Sequence, residues 1–124
     1  MRDRFQILLV EDNLRHQKLY ETALEDGLGC AVRFAINGED ALRAIQGEHP
    51  PDLVLLDLDI PKVSGEDVLK TVKSDLRLST IPVCILTGHA PLDKQLELLD
   101  IGADDFIGKR VHSGDYSGAR QSTD

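Results

Sequence analysis

The chain has 124 residues, enough to bury one core and too few for two domains. Hydrophobic residues make up 41% and charged residues 29%, an ordinary soluble composition with no apolar run approaching the length of a membrane span. The formal charge of −8 argues against direct nucleic-acid binding and fits a surface that meets basic partners or a site that holds a cation.

In chain order, Met1-Arg2-Asp3-Arg4 leads without any signal-peptide apolar region into a short strand, Phe5 to Val10, so a cytoplasmic location is expected. Glu11-Asp12-Asn13 breaks that strand. From Leu14 to about Asp26 the apolar positions Leu19, Tyr20, Ala23 and Leu24 form the stripe of a helix packed on a sheet, and Gly27 and Gly29 end it. Ala31 to Ile36 is a second strand, and Asn37-Gly38 a turn. Ala41, Leu42 and Ile45 mark a second helix that stops before Pro50-Pro51.

Asp52 to Asp57 follows. Its run Val54-Leu55-Leu56 has no polar alternation, as in a strand buried on both faces of a parallel sheet. Asp57 therefore falls at the carboxyl end of that strand, where open α/β sheets bind ligands. Asp59 comes two positions later, and Pro61 stops further pairing. Val68, Leu69, Val72 and Leu76 give a third helical stripe with Ser64 as N-cap; Asp67 stands where a capping box would need Glu or Gln. Ile81 to Leu86 is a fourth strand, with Pro82 tolerated at its start, and it ends in Thr87-Gly88. Leu92, Leu96 and Leu99 define a fourth helix closed by Gly102, and Asp105 to Gly108 is a fifth strand ending at Lys109.

Alternating strands and helices with short links favour parallel strands and right-handed crossovers. The expected fold is a doubly wound α/β sheet of five parallel strands in the flavodoxin-like order 2-1-3-4-5. A fifth helix would normally complete it. Residues 110–124 are instead polar and rich in glycine and serine, with no apolar period, so they are expected to be an irregular or disordered tail behind a domain of residues 1–109. Cys30 and Cys84, far apart and in or beside apolar runs, are expected to be reduced core residues. His16, His49, His89 and His112 show no ligand spacing, so no transition-metal site is expected.

This topology brings Glu11-Asp12, Asp57, Thr87 and Lys109 to the carboxyl ends of the first, third, fourth and fifth strands. Three acids in one place repel unless a cation sits among them, and oxygen ligands of this kind suit a hard ion such as Mg²⁺. An amine and a hydroxyl beside them complete the equipment for phosphoryl transfer to a carboxylate. Taken singly, each residue has a plainer reading. The acidic pair could face a helix N-terminus, Asp57 and Thr87 could be caps, and Lys109 could be a solvated charge.

The combination resembles the receiver domains of two-component response regulators. It is carried by the acidic pair after the first strand, by Asp57-x-x-x-Pro61-x-x-x-Gly65, by Thr87-Gly88, and by Gly102-Ala103-Asp104-Asp105-Phe106 before Lys109. The resemblance implies that Asp57 accepts a phosphoryl group from a sensor histidine kinase or a phosphotransfer protein. It implies that Glu11, Asp12, Asp57 and the backbone carbonyl of Asp59 hold Mg²⁺, that Thr87 bonds the new phosphate, and that Lys109 pairs with it. Phe106 matches the aromatic switch position but lacks a tyrosine hydroxyl, which leaves only the packing half of that switch. Asp59 and His89 match positions that tune hydrolysis of the phosphate. Such a protein is a switch that modifies itself, not an enzyme turning over a free substrate.

Two rivals stay in view. Leu56-Asp57-Leu58-Asp59 also resembles the nucleophile and acid pair of a haloacid-dehalogenase-like phosphatase, although here the pair is on the third strand and no acidic metal motif follows Lys109. A degenerate receiver used only for docking or dimerisation is the other, because Arg110 replaces the family's proline after the lysine and the fifth helix is lost. A trans Lys109-Arg110 bond is expected. The flank of the sheet without a fifth helix is expected to be covered by a second copy of the chain or by a neighbouring domain.

Overall fold

A computed structural model describes residues 4–88 and 90–108. Five parallel strands form one sheet in the order β2-β1-β3-β4-β5. They are β1 (Gln6–Val10), β2 (Ala31–Ala35), β3 (Leu53–Asp57), β4 (Val83–Thr87) and β5 (Asp105–Gly108). Between them run α1 (Leu14–Glu21), α2 (Gly38–Gln46), α3 (Gly65–Ser74) and α4 (Leu92–Ile101). The expected doubly wound architecture is what is found. The tail expected over residues 110–124 and the Lys109-Arg110 linkage lie outside the described residues.

Side chains alternate along each strand, so the sheet has two apolar faces. On one face Leu8, Val10, Val54, Leu56, Val83 and Ile85 pack with Ala41 and Ile45 of α2, Val68, Leu69 and Val72 of α3, and Leu98 of α4. On the other, Ile7, Leu9, Leu55, Cys84, Leu86 and Cys30 pack with Tyr20 of α1 and with Leu24. Each fully buried aliphatic side chain contributes about 1.5–3 kcal/mol by leaving water. This explains why the two central runs are apolar without interruption. Both cysteines are free and buried, as expected.

Local chemistry sets the helix starts. Asn13, Asn37 and Ser64 stand in extended conformation before α1, α2 and α3, and their side chains accept hydrogen bonds from the backbone N–H groups of His16, Asp40 and Asp67. α1 continues into a π-helical segment, Thr22–Gly27, after which the Cys30 N–H bonds the Leu24 carbonyl at 3.1 Å. β4 begins at Val83, just after Pro82, whose carbonyl accepts from the Val54 N–H at 3.0 Å.

The apolar stripe that marks α4 in the sequence does not face the sheet. Leu92, Leu96 and Leu99 of α4 are exposed, by 69%, 56% and 45%, while Leu98 is fully buried. α1 likewise has no fully buried residue.

Candidate acidic site at the strand ends

The site follows from register. Val10 of β1 lies opposite Leu56 of β3, so Glu11 and Asp57 each come one step later on neighbouring strands. Asp57 is opposite Leu86 of β4, which puts Thr87 just beyond, and Thr87 is opposite Gly108 of β5. Glu11, Asp12 and Asp57 each offer a carboxylate oxygen within 4.8 Å of the others. Glu11 is completely buried and Asp57 is 2% exposed, whereas Asp12 is exposed, so the cluster has a floor of two acids and a rim of one.

Backbone geometry fixes these carboxylates. The Asn13 N–H donates to Glu11 Oε2 at 3.1 Å, and the Gln17 amide donates to the Glu11 carbonyl at 2.6 Å. The Asp59 N–H donates to Asp57 Oδ1 at 3.0 Å, although the Asp59 side chain itself is exposed. The loop from β3 to α3 passes very close beneath. A Cβ added at Gly65 would meet the Asp57 carbonyl oxygen at 2.7 Å and the Leu58 Cα at 2.8 Å. Only glycine permits that approach, which is the physical content of the Asp57-to-Gly65 spacing.

Behind the site, Phe106 is partly buried against the larger core. Lys73 of α3 braces the segment leading to it, donating to the Ser79 and Ile81 carbonyls at 3.1 and 2.7 Å and to Asp104 Oδ2 at 3.0 Å. Asp104 Oδ2 also accepts from the Val83 N–H at 2.8 Å, so one carboxylate ties α3, β4 and the start of β5 together. Lys94 of α4 bonds Glu66 at 2.6 Å, and Lys70 lies 3.5 Å from the same carboxylate. That hydrogen bond to Lys94 holds the Glu66 carboxyl below its ordinary range.

Of the residues expected at the site, Glu11, Asp12 and Asp57 come together, Thr87 stands on the adjoining strand end, and Phe106 lies one strand further. Lys109 and His89 lie outside the described residues. Two participants were not foreseen. The Lys73–Asp104 brace gave only the weak signal of a lysine at the end of an apolar stripe. His16, whose Nδ1 lies 3.6 Å from Glu11 Oε2, could have been found by placing it one turn into the helix that starts at the acidic pair. A separate cleft of about 270 Å³, lined by Gln6, Arg33, His49 and Pro50, opens at the other end of the strands.

The donor set fits a hard divalent ion: three carboxylates converge, two of them withdrawn from water, and oxygen is the ligand such ions prefer.

Comparison with known proteins gives a consistent picture. The family model described as response regulator receiver domain matches residues 7–118. The polar-differentiation response regulator DivK of Brucella anthropi is 34% identical over 105 residues, covering 85% of this chain and 84% of that protein. Among solved structures, the phosphorylated cyanobacterial phytochrome response regulator RcpA superposes with a TM-score of 0.79 at 32% identity, over 96% of this chain and 88% of that one. The Mn²⁺-bound form of response regulator Rcp1 gives 0.81 at 28% identity, over 95% and 90%. The first curated relatives are longer. The chain spans 12% of a sensor histidine kinase and 41% and 34% of two transcriptional regulators.

Proposed function

Since this chain belongs to the response regulator receiver domain family, we propose that it is a phosphorylation switch whose acceptor is Asp57. The observation that carries the proposal is the convergence of Glu11, Asp12 and Asp57 within 4.8 Å at the carboxyl edge of a doubly wound sheet. The donor is a sensor histidine kinase or a phosphotransfer protein carrying phosphohistidine. Members of this family are generally phosphoacceptors and not classical enzymes, and the phosphatase alternative gives way to that assignment.

In the reaction, a carboxylate oxygen of Asp57 attacks the phosphorus, the bond from phosphorus to the donor imidazole nitrogen breaks, and an acyl phosphate forms. Glu11, Asp12, Asp57 and the Asp59 carbonyl would hold Mg²⁺. Held there, it would supply positive charge to offset that on the phosphoryl oxygens. The Asp59 N–H, already bonded to Asp57 Oδ1, holds the carboxyl plane steady for attack. Thr87 donates its hydroxyl to a phosphate oxygen and Lys109 pairs with the new charge. As Thr87 shifts toward the phosphate, the Phe106 ring fills the space behind it by packing alone. Asp59 and His89 adjust how readily water reaches the acyl phosphate.

The switch then changes partners, either a second copy of the chain or a neighbouring domain over the flank of the sheet. Its acidic charge disfavours direct nucleic-acid contact. The proposed location is cytoplasmic, and among the described residues no helix is long and apolar enough to cross a membrane.

Incubation with acetyl phosphate and Mg²⁺ followed by mass spectrometry tests the reading. The expected result is one phosphoryl group on the wild-type chain and none on Asp57→Asn. Equal labelling of both would reject Asp57 as acceptor. No labelling of either would favour the docking-module alternative, to which Arg110 points.

A further inference from the structure

Away from the acidic cluster, one partly buried cation lacks a counter-charge. Gln6 of β1 stands opposite Ala31 of β2, and Arg33 comes two residues after Ala31, so the Gln6 and Arg33 side chains leave the same face of the sheet. Together with His49 and Pro50 they line the cleft of about 270 Å³. The Arg33 Nη2 donates to the His49 carbonyl at 2.8 Å, which ties the guanidinium to the loop that follows α2. Its Nε is shut off from water and meets no acceptor, and among the described residues no carboxylate pairs with it. The partly buried lysines differ: Lys73 has Asp104 and Lys94 has Glu66. No acidic side chain lines the cleft among the described residues, and Asp52 Oδ2, nearby in the chain, takes the Gln6 N–H at 2.7 Å.

We propose that this cleft binds a small organic carboxylate, with Arg33 as its charge partner and Pro50 as its apolar wall. A guanidinium drawn out of water without a counter-ion is unfavourable, and an anion entering the cleft relieves it. One cation matches one negative charge, whereas a phosphate dianion would leave charge uncompensated against the proline ring. A planar guanidinium also meets a planar carboxylate through parallel N–H bonds. The Gln6 amide, held only by the Arg4 carbonyl at 3.4 Å, is at hand as a neutral second donor. The volume falls below the roughly 300–1,000 Å³ of pockets that take drug-sized ligands, so the ligand is a fragment-sized molecule. This site lies at the opposite end of the strands from Asp57 and stands apart from the phosphorylation reading.

Benzoate is the probe, with benzamide as its uncharged counterpart and inorganic phosphate as an anion without an apolar body. Each is titrated into the full, nitrogen-labelled chain and followed by amide NMR, including the Arg33 Nε–H signal. The expected result is saturable shifts with benzoate at Gln6, Arg33, His49 and the Arg33 Nε–H. Benzamide and phosphate should each bind at least about tenfold more weakly, and Arg33→Gln should weaken benzoate by about tenfold or more. No saturable shift at those residues, or benzamide binding as tightly as benzoate, would overturn the anion site. Phosphate binding as tightly as benzoate would overturn the carboxylate class, and unchanged benzoate affinity in Arg33→Gln would overturn the role of Arg33. The comparison of benzoate with benzamide on the wild type decides the matter even if Arg33→Gln does not fold.

Discussion

At Gly65 the chain leaves no room for any side chain, because a Cβ there would stand 2.7 Å from the Asp57 carbonyl oxygen. Gly65→Ala should therefore push the loop from β3 to α3 away from Asp57 and cost about 1–3 kcal/mol of stability. Urea denaturation measures the loss, and an unchanged midpoint would contradict the close approach. Cys84 makes a second residue-level test. Burial, reinforced by Asp105 and Asp104, pushes its thiol up to about 11 from an ordinary 9.0. A raised pKa means the folded state favours the neutral thiol. Its contribution is therefore intact below about pH 9 and is lost as pH rises from there toward 11. Melting curves of wild type and Cys84→Ala should converge over that window; curves that stay parallel would contradict it.

The elements are where pattern and placement part company. All five strands, four helices and the Ser64 cap were legible, because unbroken apolar runs mean buried strands and cap residues announce helix starts. The facing of α4 was not. Leu92, Leu96 and Leu99 have the spacing of a core stripe, yet Leu98 is the residue that packs, with Ile101 beside it. Periodicity fixes an angle around the helix but not which of two apolar stripes meets the sheet. Leu98→Ala should cost about 2–5 kcal/mol by opening a cavity. Leu92→Ser should stay within about 0.5 kcal/mol, as surface changes do. The reverse ranking in denaturation would mean that the helix sits turned around. α1 shows a milder form of the same effect: Leu19 is exposed while Tyr20 and Leu24 carry the contact. In the site, the acids were legible because strand ends converge in this topology. The Lys73–Asp104 brace and the His16 approach depend on side-chain directions that spacing along the chain does not encode.

For the whole molecule, the strand order unites residues from position 11 to position 87 along one edge, although they are far apart in sequence. The larger core lies under that edge and couples it to Phe106 and α4. The Glu66–Lys94 clasp adds a direct link from the start of α3 to α4. A change at Asp57 is therefore expected to reach the exposed leucines of α4. Beryllofluoride, a mimic of the phosphoryl group, allows this to be read without a kinase. Backbone amide NMR spectra recorded with beryllofluoride, with and without Mg²⁺, test the central claim most directly. The account predicts Mg²⁺-dependent shifts at Glu11, Asp12, Asp57, Asp59 and Thr87, extending to Phe106 and α4. Spectra that do not change, or that change alike with and without Mg²⁺, would contradict it.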